Sequence, residues 1–75
     1  MNNEIIKTVC ETLKIDESFA KNNYKEIKGL NAYYFWTQGR GGAQMIIGTD
    51  GSKLVCGSAL SFEKLLAEYI AGRRN

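Results

Sequence analysis

The sequence predicts a single α+β domain, residues 1–75. In it a three-stranded antiparallel meander, with a fourth strand as an alternative, packs on an N-terminal and a C-terminal helix in the order α-β-β-β-α. Two observations carry this prediction. The run 30–58 alternates apolar stretches with two glycine-marked turns, which is typical of consecutive short strands. An apolar pattern at helical spacing lies on each side of that run.

The first helix is predicted over about residues 3–13. Ile5, Val9 and Leu13 recur at every fourth position and form one apolar stripe along a helix. Asp16 is then placed to cap a short helical turn, since its carboxylate can accept from an unpaired N–H of the first turn. Residues 24–28 alternate weakly, and we expect them to form an edge strand if they form a strand.

The last helix has the clearest boundaries. Ser61 is a predicted N-cap, and Leu60 and Leu65 flank it at the spacing of a hydrophobic staple. Gly72 follows the apolar pattern where a left-handed C-cap belongs, and Arg73 complements the negative end of the helix dipole.

The two turns predict which strand residues lie opposite each other. Asp50-Gly51 favours a two-residue type I′ turn. The first hairpin is taken to turn on Arg40-Gly41. The resulting pairs include Ile47 with Leu54, Ile46 with Val55, and Phe35 with Ile46.

This register sorts the sheet into two faces, because successive side chains of a strand point to opposite sides. The inner face, which we expect both helices to cover, would carry Tyr34, Trp36, Met45, Ile47, Leu54 and Cys56. The outer face would carry an apolar row flanked by polar residues, which is typical of an interface. The predicted partner-binding residues are Tyr33, Phe35, Ile46, Lys53 and Val55. Residues 14–29 could instead fold over this face.

The function predicted from these patterns is a non-catalytic protein-interaction or regulatory module, with a second copy of the chain as one candidate partner. The chain has no histidine, and its acidic residues form no paired constellation. Cys10 and Cys56 fall on predicted core positions, so we expect free thiols, with a disulfide between the two as the alternative, and neither a metal site nor a cofactor. No signal-peptide pattern or apolar run of about 18 residues is present, which favours the cytoplasm.

The alternative function is weak nucleic-acid binding. The element order resembles that of the double-stranded-RNA-binding domain, but the lysine-rich approach to that family's final helix has no counterpart here. Residues 57–64 contain one lysine and one acid. The net charge of +2 is small. The residues that would contact phosphates are Lys21, Lys25, Lys28, Arg40 and Lys53.

Overall fold

The computed structural model describes residues 3–37, 42–57 and 60–74. Its elements in chain order are α1 (Asn3–Leu13), α2 (Glu17–Asn22), β1 (Tyr24–Ile27), β2 (Ala32–Trp36), β3 (Ala43–Gly48), β4 (Lys53–Gly57) and α3 (Phe62–Ile70). The strands form one antiparallel sheet in the order β1-β2-β3-β4. The predicted α+β class is therefore confirmed, and the fourth strand is present. No helix in the described part of the chain is long and apolar enough to span a membrane.

The predicted helix boundaries and caps are confirmed. The carboxylate of Asp16 accepts from the N–H of Phe19 at 2.7 Å, which starts α2. The hydroxyl of Ser61 accepts from the N–H of Lys64 at 3.2 Å, which starts α3. Gly72 takes the left-handed conformation with φ 100° after α3 ends. These local patterns act within one turn of helix, so the sequence alone determines them.

The predicted strand register is wrong by one residue in both hairpins. The turn after β3 has three residues, because the N–H of Gly48 donates to the carbonyl of Ser52 at 2.8 Å and the N–H of Gly51 donates to the carbonyl of Gly48 at 3.0 Å. Gly51 has a positive φ of 92°, whereas Asp50 does not, so the turn is type I with a glycine bulge. The observed pairs include Ile46 with Leu54, Met45 with Val55, Tyr34 with Ile46 and Phe35 with Met45.

A one-residue slip moves every side chain of a strand to the other face relative to its neighbour. In β3 three consecutive residues, Met45, Ile46 and Ile47, are 0%, 0% and 1% exposed. A strand buried on both sides lies between two covering layers. The molecule therefore has three layers, with the sheet in the middle.

The two sides of the sheet form separate apolar clusters. On one side, which we call the α1 face, Phe35, Met45 and Ile47 pack against α1 and Ala20 of α2. On the other, the α3 face, Ala32, Ile46 and Leu54 pack against Leu65 and Tyr69 of α3. The prediction that both helices cover one face is wrong, because each face has its own cluster. Residues 14–29 contribute α2 beside α1 and β1 to the sheet edge.

The predicted outer contact surface does not form. Phe35 and Ile46 are each 0% exposed and lie on opposite faces, under different helices. Tyr33 and Val55 are half-buried and pack against the α1 cluster. Lys53 lies opposite Ile47 and so shares the α1 face with them. In the observed register these five residues therefore lie in the core or at its border.

Candidate binding surface on the α3 face

The α3 helix packs on β3 and β4 and leaves the β1–β2 side of the same face more open. Tyr34 and Trp36 of β2 lie on this side, and Phe62, at the start of α3, borders it. Lys25 of β1 lies opposite Tyr34 in the sheet. We call Lys25, Tyr34, Trp36 and Phe62 the aromatic surface. The three rings are half-buried and the lysine is exposed.

The rings of the aromatic surface contact one another directly. Tyr34 and Trp36 stack with centroids 5.3 Å apart and planes 23° from parallel. The Phe62 ring lies 4.5 Å from that of Tyr34 at a tilt of 60°. The Lys25 ammonium lies 5.3 Å from the Phe62 centroid, within the range of a cation–π contact. Packed rings offer contact area with little side-chain entropy left to lose on binding.

A buried amide fixes the central ring of this surface. Gln44 is 4% exposed and accepts from the hydroxyl of Tyr34 at 2.7 Å. Its side-chain nitrogen donates to the carbonyls of Gly57, at 3.1 Å, and Leu60. One side chain therefore connects β2, β3, β4 and the segment leading into α3. Burial raises the pKa of Tyr34, and the neighbouring Cys56 adds a smaller effect in the same direction. The hydroxyl therefore stays protonated and keeps donating to Gln44.

A shallow cleft of about 220 Å³ opens beside the rings. Tyr34, Trp36 and Phe62 line it together with Leu60 and the polar side chains of Thr37 and Gln44. Ligand sites commonly combine apolar and aromatic walls with a few polar groups that fix orientation. The cleft thus adds a depression to a rigid aromatic patch.

Among the described residues, the lysines predicted for nucleic-acid binding do not come together. Lys21 forms an ion pair with Glu17 on α2 at 2.7 Å. Lys25 is on the α3 face, whereas Lys53 is on the α1 face and on the opposite edge strand. Lys28 follows β1 in an exposed turn. Arg40 lies outside the described residues.

The two cysteines are free, as expected, but both are half-buried, whereas their predicted core positions imply largely buried thiols. Cys10 packs against the α1-face cluster and Cys56 against the α3-face cluster, so the sheet separates them. Burial, and then the carboxylates of Glu17 and Asp16, raise the pKa of the Cys10 thiol. Burial and the Glu68 carboxylate raise the pKa of Cys56. Both environments disfavour the thiolate, which is the nucleophilic form.

Tyr34 and Trp36 are predicted from the sequence to lie in the core, on a face covered by both helices. In the structure α3 alone covers that face. The sequence does contain one signal for this surface. Residues 33–36 are four consecutive aromatic residues, more than the thin core of a small domain requires. Gln44 is not among the site residues predicted from the sequence, because its burial and its bond to Tyr34 depend on the observed register.

Comparison of the chain with protein-family models, with curated proteins and with solved structures yields no match.

Proposed function

We propose that the protein is a binding module whose aromatic surface takes up an extended segment of a partner protein. The observation that carries this proposal is the arrangement of Tyr34, Trp36 and Phe62, three contacting half-buried rings beside a cleft and an open sheet edge. Aromatic residues are enriched where proteins bind each other and are depleted from ordinary solvated surface.

The edge strand β1 gives the segment a place to lie. β1 is the first strand in the sheet order, with β2 as its neighbour in the described part of the chain. An extended polypeptide can add to such an edge through main-chain hydrogen bonds, while pockets for alternate side chains provide specificity. On the α3 face those side chains would meet Lys25 first and the Phe62 ring behind it. A partner segment with an acidic residue next to an apolar or aromatic one would match these two contacts.

The charges of β1 favour a different protein over a second copy of this chain. Residues directly opposite each other in an antiparallel pair have side chains on the same face. A two-fold axis centred on β1 would therefore place Lys25 opposite Lys25, or Glu26 opposite Glu26. Like charges in these positions are destabilising, so the strand discourages pairing with itself.

The distribution of lysines favours a protein over nucleic acid. A nucleic-acid site needs cations along the path of the phosphates, next to rings on which bases stack. Here Lys25 stands beside the rings, whereas Lys21 is paired with Glu17 and Lys53 lies on the other face. A single lysine can bind one carboxylate, but it cannot contact the successive phosphates of a nucleic-acid backbone.

The test is selection of linear peptides from a random library displayed on phage, followed by measured affinity of the synthetic peptides. We expect the selected peptides to pair an acidic residue with an apolar or aromatic one. Trp36→Ala and Lys25→Glu should each weaken their binding by about tenfold or more, the loss of one anchoring contact. Circular dichroism checks that each variant is folded, and Lys25→Glu changes an exposed side chain only.

A variant on the α1 face serves as the matched control. Lys53→Glu makes the same charge change on the opposite edge of the sheet. It should leave peptide affinity unchanged. Peptides insensitive to Trp36→Ala and Lys25→Glu, or a library that yields no binder, would contradict the proposal.

The same variants test whether the aromatic surface binds a second copy of the chain or a nucleic acid instead. A dimer by light scattering that Trp36→Ala converts to a folded monomer would make the occupant a second copy. Salt-sensitive binding of a labelled single-stranded RNA, weakened by both Lys25→Glu and Lys53→Glu, would replace the proposal with the nucleic-acid alternative.

A further inference from the structure

A second cleft, of about 350 Å³, lies between the β3–β4 turn, the turn after β1 and the last turn of α3. It is separate from the aromatic surface, and its walls include Asp50, Ser52, Tyr69 and Arg74. Its volume falls within the range of small-molecule sites, about 300–1,000 Å³.

Hydrogen bonds hold a negative charge in this cleft. The Asp50 carboxylate accepts from the Ser52 N–H at 2.9 Å and from the Ser52 hydroxyl at 2.8 Å. These bonds lower the pKa of Asp50, so the group is ionised at neutral pH. The Ser52 hydroxyl also lies 3.3 Å from that of Tyr69, which ties the turn to α3.

A positive charge is held on the other side of the same tyrosine. The Arg74 guanidinium carbon lies 3.7 Å from the Tyr69 ring centroid, and its Nη1 donates to the Tyr69 carbonyl at 2.6 Å. Among the described residues, the ion pairs are Lys21 with Glu17 and Arg73 with Glu68. Asp50 and Arg74 therefore line one cleft without forming a direct ion pair with each other.

Two exposed aliphatic side chains border these charges. Leu30 is 37% exposed and Ile70 is 62% exposed, and both line the cleft. With Tyr24 they are the large hydrophobic residues most exposed in the described part of the chain. Their convergence on the polar cleft is independent of the charges and indicates a ligand with an apolar portion.

We propose that this cleft binds a free α-amino acid with an aliphatic side chain. The ammonium group would lie at Asp50, the carboxylate at Arg74, and the side chain against Leu30 and Ile70. A simple anion would be repelled by Asp50, and a simple cation by Arg74. A zwitterion that carries its ammonium and carboxylate groups on the same carbon atom can satisfy both side chains at once, through charge-assisted hydrogen bonds.

The test is NMR titration of the folded protein with L-leucine, compared with N-acetyl-L-leucine and L-leucine amide, which each lack one charge. We expect saturable shifts of the Gly48, Ser52 and Tyr69 amides with leucine, and binding at least about tenfold weaker for either analogue. No saturable shift at leucine concentrations up to about 10 mM would overturn the proposal. Equal binding of the amide or the acetyl derivative would also overturn it.

Three variants test whether Asp50 and Arg74 bind the two charged groups of the ligand. Asp50→Asn keeps an acceptor oxygen for Ser52 and removes the charge, and Arg74→Gln removes the cation. Each should weaken leucine binding by about tenfold or more. Arg73→Gln is the matched control, because Arg73 pairs with Glu68 and does not line the cleft. Loss of binding in Arg73→Gln equal to that in Arg74→Gln would contradict the assignment.

Discussion

At the scale of single residues, the close approach of three polar atoms explains the glycine at position 48. A Cβ there would lie 2.6 Å from the Tyr69 hydroxyl, 2.9 Å from Asp50 Oδ1 and 3.2 Å from Ser52 Oγ. The first two distances are shorter than those that real Cβ atoms show, so a side chain would displace the network that joins the turn to α3. Tyr69 is 5% exposed and has little room to move.

We therefore expect Gly48→Ala to lower the free energy of unfolding by about 1–3 kcal/mol, as overpacking commonly does. Urea unfolding measures this change. Gly57→Ala is the matched control, since a Cβ at that position meets nothing within 4 Å. Gly48→Ala should also cost less in a Tyr69→Phe background, because the nearest clashing atom is then absent. An equal loss of stability at both glycines would contradict the steric explanation.

Residue-level prediction succeeded where a pattern is local. The Asp16 and Ser61 caps depend on a side chain and a backbone N–H three residues apart, and both form as expected. It failed for Gln44, whose burial depends on partners in β2, β4 and the approach to α3. No local pattern contains that information.

At the scale of the elements, turn length decides the architecture. Asp50-Gly51 suits a two-residue type I′ turn, but it also suits a three-residue turn in which glycine alone takes a positive φ. The second is formed, and its Asp50–Ser52 hydrogen bonds stabilise it. Because both hairpins differ from expectation by one residue, β3 is shifted relative to both neighbours and exchanges the faces predicted for it.

The α3 helix offers a test of that arrangement within one element. Leu65 is fully buried against the sheet, whereas Ile70 is 62% exposed. Leu65→Ala should lower the free energy of unfolding by about 2–5 kcal/mol, since it leaves a cavity in the α3-face cluster. Ile70→Ala should change it by about 0.5 kcal/mol or less.

Thermal and urea unfolding of the two variants measure the difference. A small effect at Leu65, or a comparable effect at Ile70, would mean that α3 presents a different side to the sheet. A loss of the expected size at Leu65 is a large share of the roughly 5–15 kcal/mol that stabilises a typical domain.

At the scale of the whole molecule, the sheet is covered on both faces by short helices. The fold class followed from two glycine-marked turns between apolar helices. The layer arrangement did not, because a meander with one helix at each end can place those helices on the same face or on opposite faces. The strand register decides between these two arrangements. In the observed register the candidate binding residues are Tyr34, Trp36 and Phe62, and no longer Phe35, Ile46 and Val55.

Nuclear Overhauser contacts can show whether α1 and α3 lie on opposite faces of the sheet, the arrangement on which both the core and the aromatic surface depend. The structure predicts contacts from the Phe35 ring to methyl groups of α1, and from the Ile46 methyl groups to Leu65 or Tyr69 of α3. It predicts none between Phe35 and Leu65. Contacts from Phe35 and Ile46 to the same helix would contradict the three-layer arrangement, and with it the aromatic surface.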